Sequence, residues 1–287
     1  MRLVSYFLDG APGVGELRDA VVIPLQGLSE IGAATPAELL RSAVRKVQAA
    51  VPISRVILRP AVPNPTKIFC VGLNYLSHVD ETKRDLPSYP VLFPKYASSL
   101  IAADAPISLP AESDQVDYEG ELAVVIGRAG RRIPESSAMD HVLGYTVAND
   151  VTVRDYQYKT HQWLQGKAWD GTTPLGPDIV TPDSVDLSTA RIRTVLNGST
   201  MQDSDLSKLI FSIPRLIATI SEFTELQPGD VILTGTPGGV GFHRDPQVFL
   251  RDGDLVSVEI EGVGRINSTV TAEIGAHQPP VIAEVNA

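Results

Sequence analysis

Cysteine is almost missing from this sequence: Cys70 is the single one in 287 residues. An internal disulfide and a cysteine-rich metal site are therefore excluded, and a reducing, cytoplasmic setting is the expectation. Cys70 lies in the apolar run Ile68-Phe69-Cys70-Val71 and reads as a small core side chain, not a nucleophile. Long apolar runs are missing too. No stretch approaches the roughly 18 apolar residues of a membrane span, and MRLVSYFLDG lacks the apolar core and cleavage site of a signal peptide. Positive charge is scarce: 24 Lys and Arg face 34 Asp and Glu, a formal net charge of −10. That balance argues against nucleic acid or an anionic membrane as partner, since both need a basic face. Internal repeats and low-complexity tracts are absent as well.

What is present falls into two units. Residues 1–60 read as a small N-terminal α/β domain. Leu3–Phe7 and Ala20–Ile23 have strand composition and flank a glycine-rich turn. Thr35-Pro36-Ala37-Glu38 has the form of a capping box, and the apolar spacing after it predicts a helix to about Ala49. A proline-rich linker occupies 61–66. Residues 67–273 then form a β-rich catalytic domain with peripheral helices, and a tail, 274–287, ends the chain. Strands are expected at Lys67–Val71, Val142–Ala148, Val231–Leu233 and in the closing pair after Asp252. Asn197-Gly198 predicts a hairpin through a type I′ turn, and Ser212-Ile213-Pro214 a helix with an apolar stripe through Ile220. Leu76–Arg84 reads as a helical turn, and Asp85–Pro90 as a loop. Val151–Gln165 reads as helical, with Asp150 near its N-terminus.

The chemistry concentrates in the stretch from Val116 to Gly127. Strand periodicity sends Glu119 and Glu121 to one face, along with Ala123 and Val125, while Leu122, Val124 and Ile126 take the other. With both faces apolar beyond the glutamates, the strand is buried. Two adjacent carboxylates there persist most easily when a cation neutralises both; the plain alternative is an acidic strand end reaching solvent. Asp150 ends another apolar strand, either as a third oxygen ligand for Mg²⁺, Mn²⁺ or Ca²⁺ or as the N-cap of the next helix. His78 and Glu81 stand three apart, an oriented acid–base pair or a solvated one. Lys167, between Trp163 and Trp169, can neutralise an oxyanion or cap a helix. The loop Thr234–Gly241 offers amides to an anion but lacks the Lys-Ser/Thr of a P-loop. His161 and His243 have no partner at a useful spacing and read as structural.

In order along the chain, VGLNYLSHVDE, VDYEGELAVVIG, GYTVANDVTVRDYQ, QGKAWDGTTPLGP, LQPGDVILTGTPGGVG and DGDLVSVEIEGVG resemble the fumarylacetoacetate hydrolase family, in its shorter branch. The resemblance spans about residues 67–270. It implies a mixed β-sandwich roll and a homodimer. It implies Glu119, Glu121 and Asp150 as ligands of Mg²⁺ or Mn²⁺, with Ca²⁺ able to substitute. His78 and Glu81 match the water-activating dyad, and Lys167 the lysine beside the reacting oxyanion. Arg154, Gln157, Gly235 and Thr236 match positions that bind a small 2-oxo or 2,4-dioxo acid. The activity so implied is hydrolysis of a carbon–carbon bond in an acylpyruvate-type β-diketo acid, expelling a pyruvate enolate held by the metal and Lys167. Oxaloacetate decarboxylation and keto–enol isomerisation of a 2-oxo acid use the same site and stay open, as does a non-catalytic cation-binding module.

Overall fold

The computed structural model describes residues 1–82 and 85–273. Expectations for Lys83, Arg84 and the 274–287 tail lie outside these. The fold is β-rich, as the sequence pattern requires. A large sheet runs in the order Val51–Pro52, Val21–Pro24, Ala11–Arg18, Arg2–Leu8, Thr173–Val180, Val142–Asn149, Gly120–Ile126, Val231–Leu233, Ile68–Gly72, Val91–Lys95. After Lys95 the chain returns to pair Leu100 and Ile101 with Thr173 and Pro174. The outermost strand is thereby tied back to the middle, which makes the sheet a roll. A five-stranded sheet, Ser199–Asp205 to Ile107–Leu109, packs beside it.

Burial on both faces of Gly120–Ile126 is complete. Leu122, Val124 and Ile126 join Ile192, Val258 and Ile260 of the second sheet and the stripe Leu216, Ile217 and Ile220 of the helix Ile213–Phe223. Ala123 and Val125 face the opposite core, with Leu3, Val14, Leu25, Leu40 and Val62. The N-terminal strands are continuous with the large sheet, through Arg2↔Val180 and Leu3↔Ile179, so residues 1–60 cover one face of the strand that carries the glutamates.

Three local expectations are overturned. The glycine-rich turn is a strand, Ala11–Arg18, because Gly13 and Gly15 leave room for the Tyr6 ring; a Cβ at Gly13 would lie 2.7 Å from it. The helix after Thr35 is only Ala37–Ser42. Thr35 Oγ1 accepts from the Gly32 amide instead of capping. The Gln26 amide donates to the Val44 carbonyl and the Lys46 amide to the Pro24 carbonyl, which draws residues 44–46 into backbone pairing with 24–26. Val44 and Val47 are consequently exposed. Val151–Gln165 is no continuous helix: Thr152–Val153 pairs with Val116–Asp117, and two four-residue helices come after it, Arg154–Gln157 and Leu164–Lys167. The β-branched Val151-Thr152-Val153 run favours the extended chain. The hairpin at Asn197-Gly198 forms with both residues at positive φ, 50° and 82°.

Gly120 stands between the two glutamates, and its missing side chain faces the second sheet. A Cβ there would lie 2.3 Å from Thr194 Oγ1 and 2.9 Å from Val258 Cγ1. Gly120→Ala should therefore force the sheets apart and lower stability by about 1–3 kcal/mol, as overpacking does. An unchanged denaturant midpoint would show that the contact yields freely.

Candidate active site

The register of two strands assembles the site. Gly120–Ile126 and Val142–Asn149 are antiparallel with Gly120 opposite Asn149, so the start of one adjoins the end of the other. Glu119 and Glu121 are thereby placed beside Asp150, whose amide donates to the Glu119 carbonyl at 2.8 Å. Asp150 caps no helix, because the chain continues as a strand. The carboxylates of Glu119, Glu121 and Asp150 are all buried, and one oxygen from each lies within 4.8 Å of the others. An all-oxygen set of this kind fits a hard divalent cation such as Mg²⁺ or Mn²⁺.

Buried carboxylates need positive partners. Lys167 Nζ donates to Glu119 Oε2 and Asp150 Oδ2, both at 2.7 Å, so it is no helix cap. Lys95 Nζ reaches Asp150 Oδ1 at 2.7 Å and the Val151 carbonyl at 3.1 Å. Arg154 Nη2 lies 2.7 Å from both Asp117 Oδ2 and Glu119 Oε1, as ion pairs off the line of a hydrogen bond. Its Nη1 donates to Gln157 Oε1. Burial alone would raise the Glu119 carboxyl, but Lys167 and Arg154 outweigh it and hold the group down at about 2. Glu121 goes the other way. Burial, then the charges of Asp150 and Glu119, push its carboxyl well above the usual range. The Lys167 ammonium is disfavoured by burial and more than restored by Asp150 and Glu119, which raise its pKa.

The glycine loop holds this frame together. The Gly235 amide donates to Glu121 Oε2 at 2.7 Å, and Thr236 Oγ1 donates to the Gly120 carbonyl. The amides of Gly241 and Phe242 converge on Asp117. These amides cradle protein carboxylates, so Gly235 is engaged by the scaffold. Gly239 donates to Glu81 Oε2 at 2.7 Å, and the Gly238 amide to Ser77 Oγ. Those two bonds hold the helix Leu76–Thr82 over the carboxylates. On it, His78 Nδ1 meets Glu81 Oε1 at 2.6 Å. His78 is buried, at 8% exposed, and Glu81 is partly buried.

A small cavity of about 30 Å³ joins these groups, with His78, Glu119, Glu121, Arg154, Gln157, Lys167 and Thr236 in its wall. That volume has room for water. His243 also lines it, its ring 6.3 Å from that of His78; burial lowers its pKa. His161 lies in an adjoining groove instead. Sequence reasoning missed Lys95, Asp117 and His243. Asp117 was within the acidic stretch, and Lys95 closes an apolar strand, an unusual place for an unpaired lysine; only proximity marks His243.

The family model described as fumarylacetoacetate (FAA) hydrolase C-terminal matches residues 67–271. The chain belongs to the fumarylacetoacetate hydrolase family. With it the chain joins a family of enzymes. Oxaloacetate tautomerase fahd2, mitochondrial, of Xenopus laevis is 47% identical over 220 residues, 76% of this chain and 69% of that protein. The human oxaloacetate tautomerase FAHD2A, mitochondrial, is 46% identical over 222 residues, 76% of this chain and 71% of that protein. A solved 5-carboxymethyl-2-hydroxymuconate delta-isomerase from Mycobacterium smegmatis superposes with a TM-score of 0.81 at 36% identity, covering 95% of this chain and all of that one. No helix among the described residues is long and apolar enough to cross a membrane.

Glu121 sets a testable sign. Its folded pKa lies above the ordinary glutamate value of 4.5, so its contribution to stability is complete below that value and is lost as pH rises through the folded pKa. Without divalent cations, Glu121→Gln should raise the melting temperature at pH 8 and change it little at pH 4.5. Added Mg²⁺ should stabilise the unmodified chain more than the variant. Equal shifts in both would remove Glu121 from the cation site.

Proposed function

We propose that this enzyme interconverts the keto and enol forms of a small 2-oxo dicarboxylic acid of the oxaloacetate type by moving a proton through His78. One observation carries the reading: the His78–Glu81 pair shares a cavity with three buried carboxylates and Lys167. The oxaloacetate tautomerases at 46–47% identity support it.

Bonding of Nδ1 to Glu81 leaves Nε2 of His78 as the free, proton-accepting nitrogen. Nε2 removes a proton from the carbon between the ketone and the distal carboxylate; the C–H electron pair becomes the carbon–carbon double bond of the enolate and the carbonyl π pair moves to the ketone oxygen. Glu81 pairs the imidazolium so formed, while Gly239 keeps Glu81 from turning away. The Lys167 ammonium, buried in the same cavity, would stabilise the oxygen that gains charge. His78 then returns its proton to that oxygen, giving the enol. Mg²⁺ or Mn²⁺ bound by Glu119, Glu121 and Asp150 supplies Lewis acidity toward substrate oxygens.

A second reading has a specific support. The His–Glu dyad suits activation of a water for carbon–carbon hydrolysis of an acylpyruvate, and the cavity has room for water. The reading extends to a homodimer in a reducing compartment with no nucleic-acid partner; the buried free thiol Cys70 and the net charge of −10 support the last two points.

The test monitors enol absorbance with oxaloacetate and a panel of acylpyruvates, with pyruvate release measured in parallel and with a chelator as control. Chelator-sensitive loss of oxaloacetate enol faster than pyruvate release is expected. His78→Gln should cost about 10²–10⁴-fold in kcat/KM, the usual weight of general acid–base catalysis, and Glu81→Gln less. Acylpyruvate cleavage without tautomerisation would replace the first reading by the second, and no chelator-sensitive turnover at all would sink both.

A further inference from the structure

Each carboxylate of the triad has one oxygen held by a donor outside the cavity centre. Asp150 Oδ1 accepts from Lys95 Nζ, Glu121 Oε2 from the Gly235 amide, and Glu119 Oε1 is paired with Arg154 Nη2, each at 2.7 Å. Two of the remaining oxygens, Asp150 Oδ2 and Glu119 Oε2, converge on one point, where the Lys167 ammonium lies 2.7 Å from each. The Lys167 ammonium thus occupies the point that these inward oxygens define, and a divalent cation bound by the triad would displace it from that point. The outward donors are rigid. Gly235 donates through its backbone, Arg154 is held by Asp117 and Gln157, and Lys95 is 2% exposed and tied to the Val151 carbonyl as well.

We infer that Lys95 is a positioning residue that restricts Asp150 to a single inward oxygen, and that the site thereby selects a small octahedral cation over Ca²⁺. The inference rests on the cation site of the proposed function. Its physical basis is ligand count. Mg²⁺ and Mn²⁺ accept three single-oxygen ligands on one side and water or substrate on the other. Ca²⁺ takes six to eight oxygens at about 2.3–2.6 Å and draws on two-oxygen carboxylates to reach that number. With one oxygen from each carboxylate, Ca²⁺ keeps mostly water and gains little from the site. Of the three outward donors, Lys95 is the one whose removal frees a carboxylate oxygen without disturbing another charged residue of the frame. It touches Asp150 and one backbone carbonyl.

The experiment uses the full chain stripped of divalent cations and titrated with Mn²⁺, the free ion being read by its electron paramagnetic resonance signal. Bound Mn²⁺ is then displaced with Mg²⁺ or Ca²⁺. In the unmodified chain Mg²⁺ should displace Mn²⁺ at lower concentration than Ca²⁺ does. Lys95→Met, of similar length, should shift the Ca²⁺-to-Mg²⁺ preference toward Ca²⁺ by about 10-fold or more, the size typical of removing a partner that orients a metal ligand. A Lys95 that only supported the fold would lower the melting temperature and leave this ratio unmoved. Equal or better displacement by Ca²⁺ in the unmodified chain overturns the inference, and that arm decides it even where Lys95→Met fails to fold. So does an unchanged ratio in a folded Lys95→Met. A flat Mn²⁺ titration of the unmodified chain sinks the cation site itself. Selective binding without turnover of any 2-oxo acid upholds the selectivity and removes the proposed reaction.

Discussion

Everything in the site depends on keeping negative charge buried at one point. Glu119, Glu121, Asp150 and the neighbouring Asp117 are all within the protein, and three cations, Lys95, Lys167 and Arg154, are buried with them. Four carboxylates against three cations leave one negative charge in excess. Glu121 has no side-chain cation at hydrogen-bond distance among the described residues, and it is the carboxyl whose pKa is driven up. Such a cluster is weak as a source of stability, since desolvation consumes most of the Coulomb gain. Its value is positional: a cation or a proton entering the cavity meets oxygens that are already aligned and already in need of positive charge.

The β-architecture supplies the geometry for that arrangement. The carboxylates sit where Gly120 opposes Asn149, at the joined ends of two strands whose remaining length is buried on both faces. Gly120 brings the second sheet close, the N-terminal strands cover the opposite core, and the loop after Val231–Leu233 lays its amides against Glu121, Asp117 and Glu81. The acid–base pair sits on a short helix that is held by that same loop. Carboxylates, the His78–Glu81 pair and Lys167 therefore share one frame of hydrogen bonds. Preorganisation of this sort favours proton transfer at carbon, where reacting groups must not reorganise as charge develops.

Much of this was legible beforehand because its causes are local. The two-residue period from Glu119 to Ile126 determined which side chains share a face. The Asn-Gly pair determined the hairpin, and Ser212-Ile213-Pro214 the start of the longest helix among the described residues. His78 and Glu81, three apart, were bound to meet if the segment was helical. Where local signals competed, the sequence misled. The apolar spacing after Thr35 suggested a helix to about Ala49, yet pairing with residues 24–26 ended it at Ser42. Asp150 looked like a cap because the strand that receives Thr152 and Val153 comes from Val116 and Asp117, well upstream in the chain.

By itself, then, the sequence determined a β-rich chain with paired acidic residues in one stretch, because strand period, turn chemistry and charge are properties of neighbours. Only the tertiary structure decided which basic side chains neutralise those carboxylates and which way each carboxylate oxygen faces. Lys95 is separated from Asp150 by 55 positions, Gly235 from Glu121 by 114 and Glu81 from Gly239 by 158. No local pattern encodes such distances; they arise from sheet register and from the return of the chain after Lys95, where burial leaves each charge few partners to choose from.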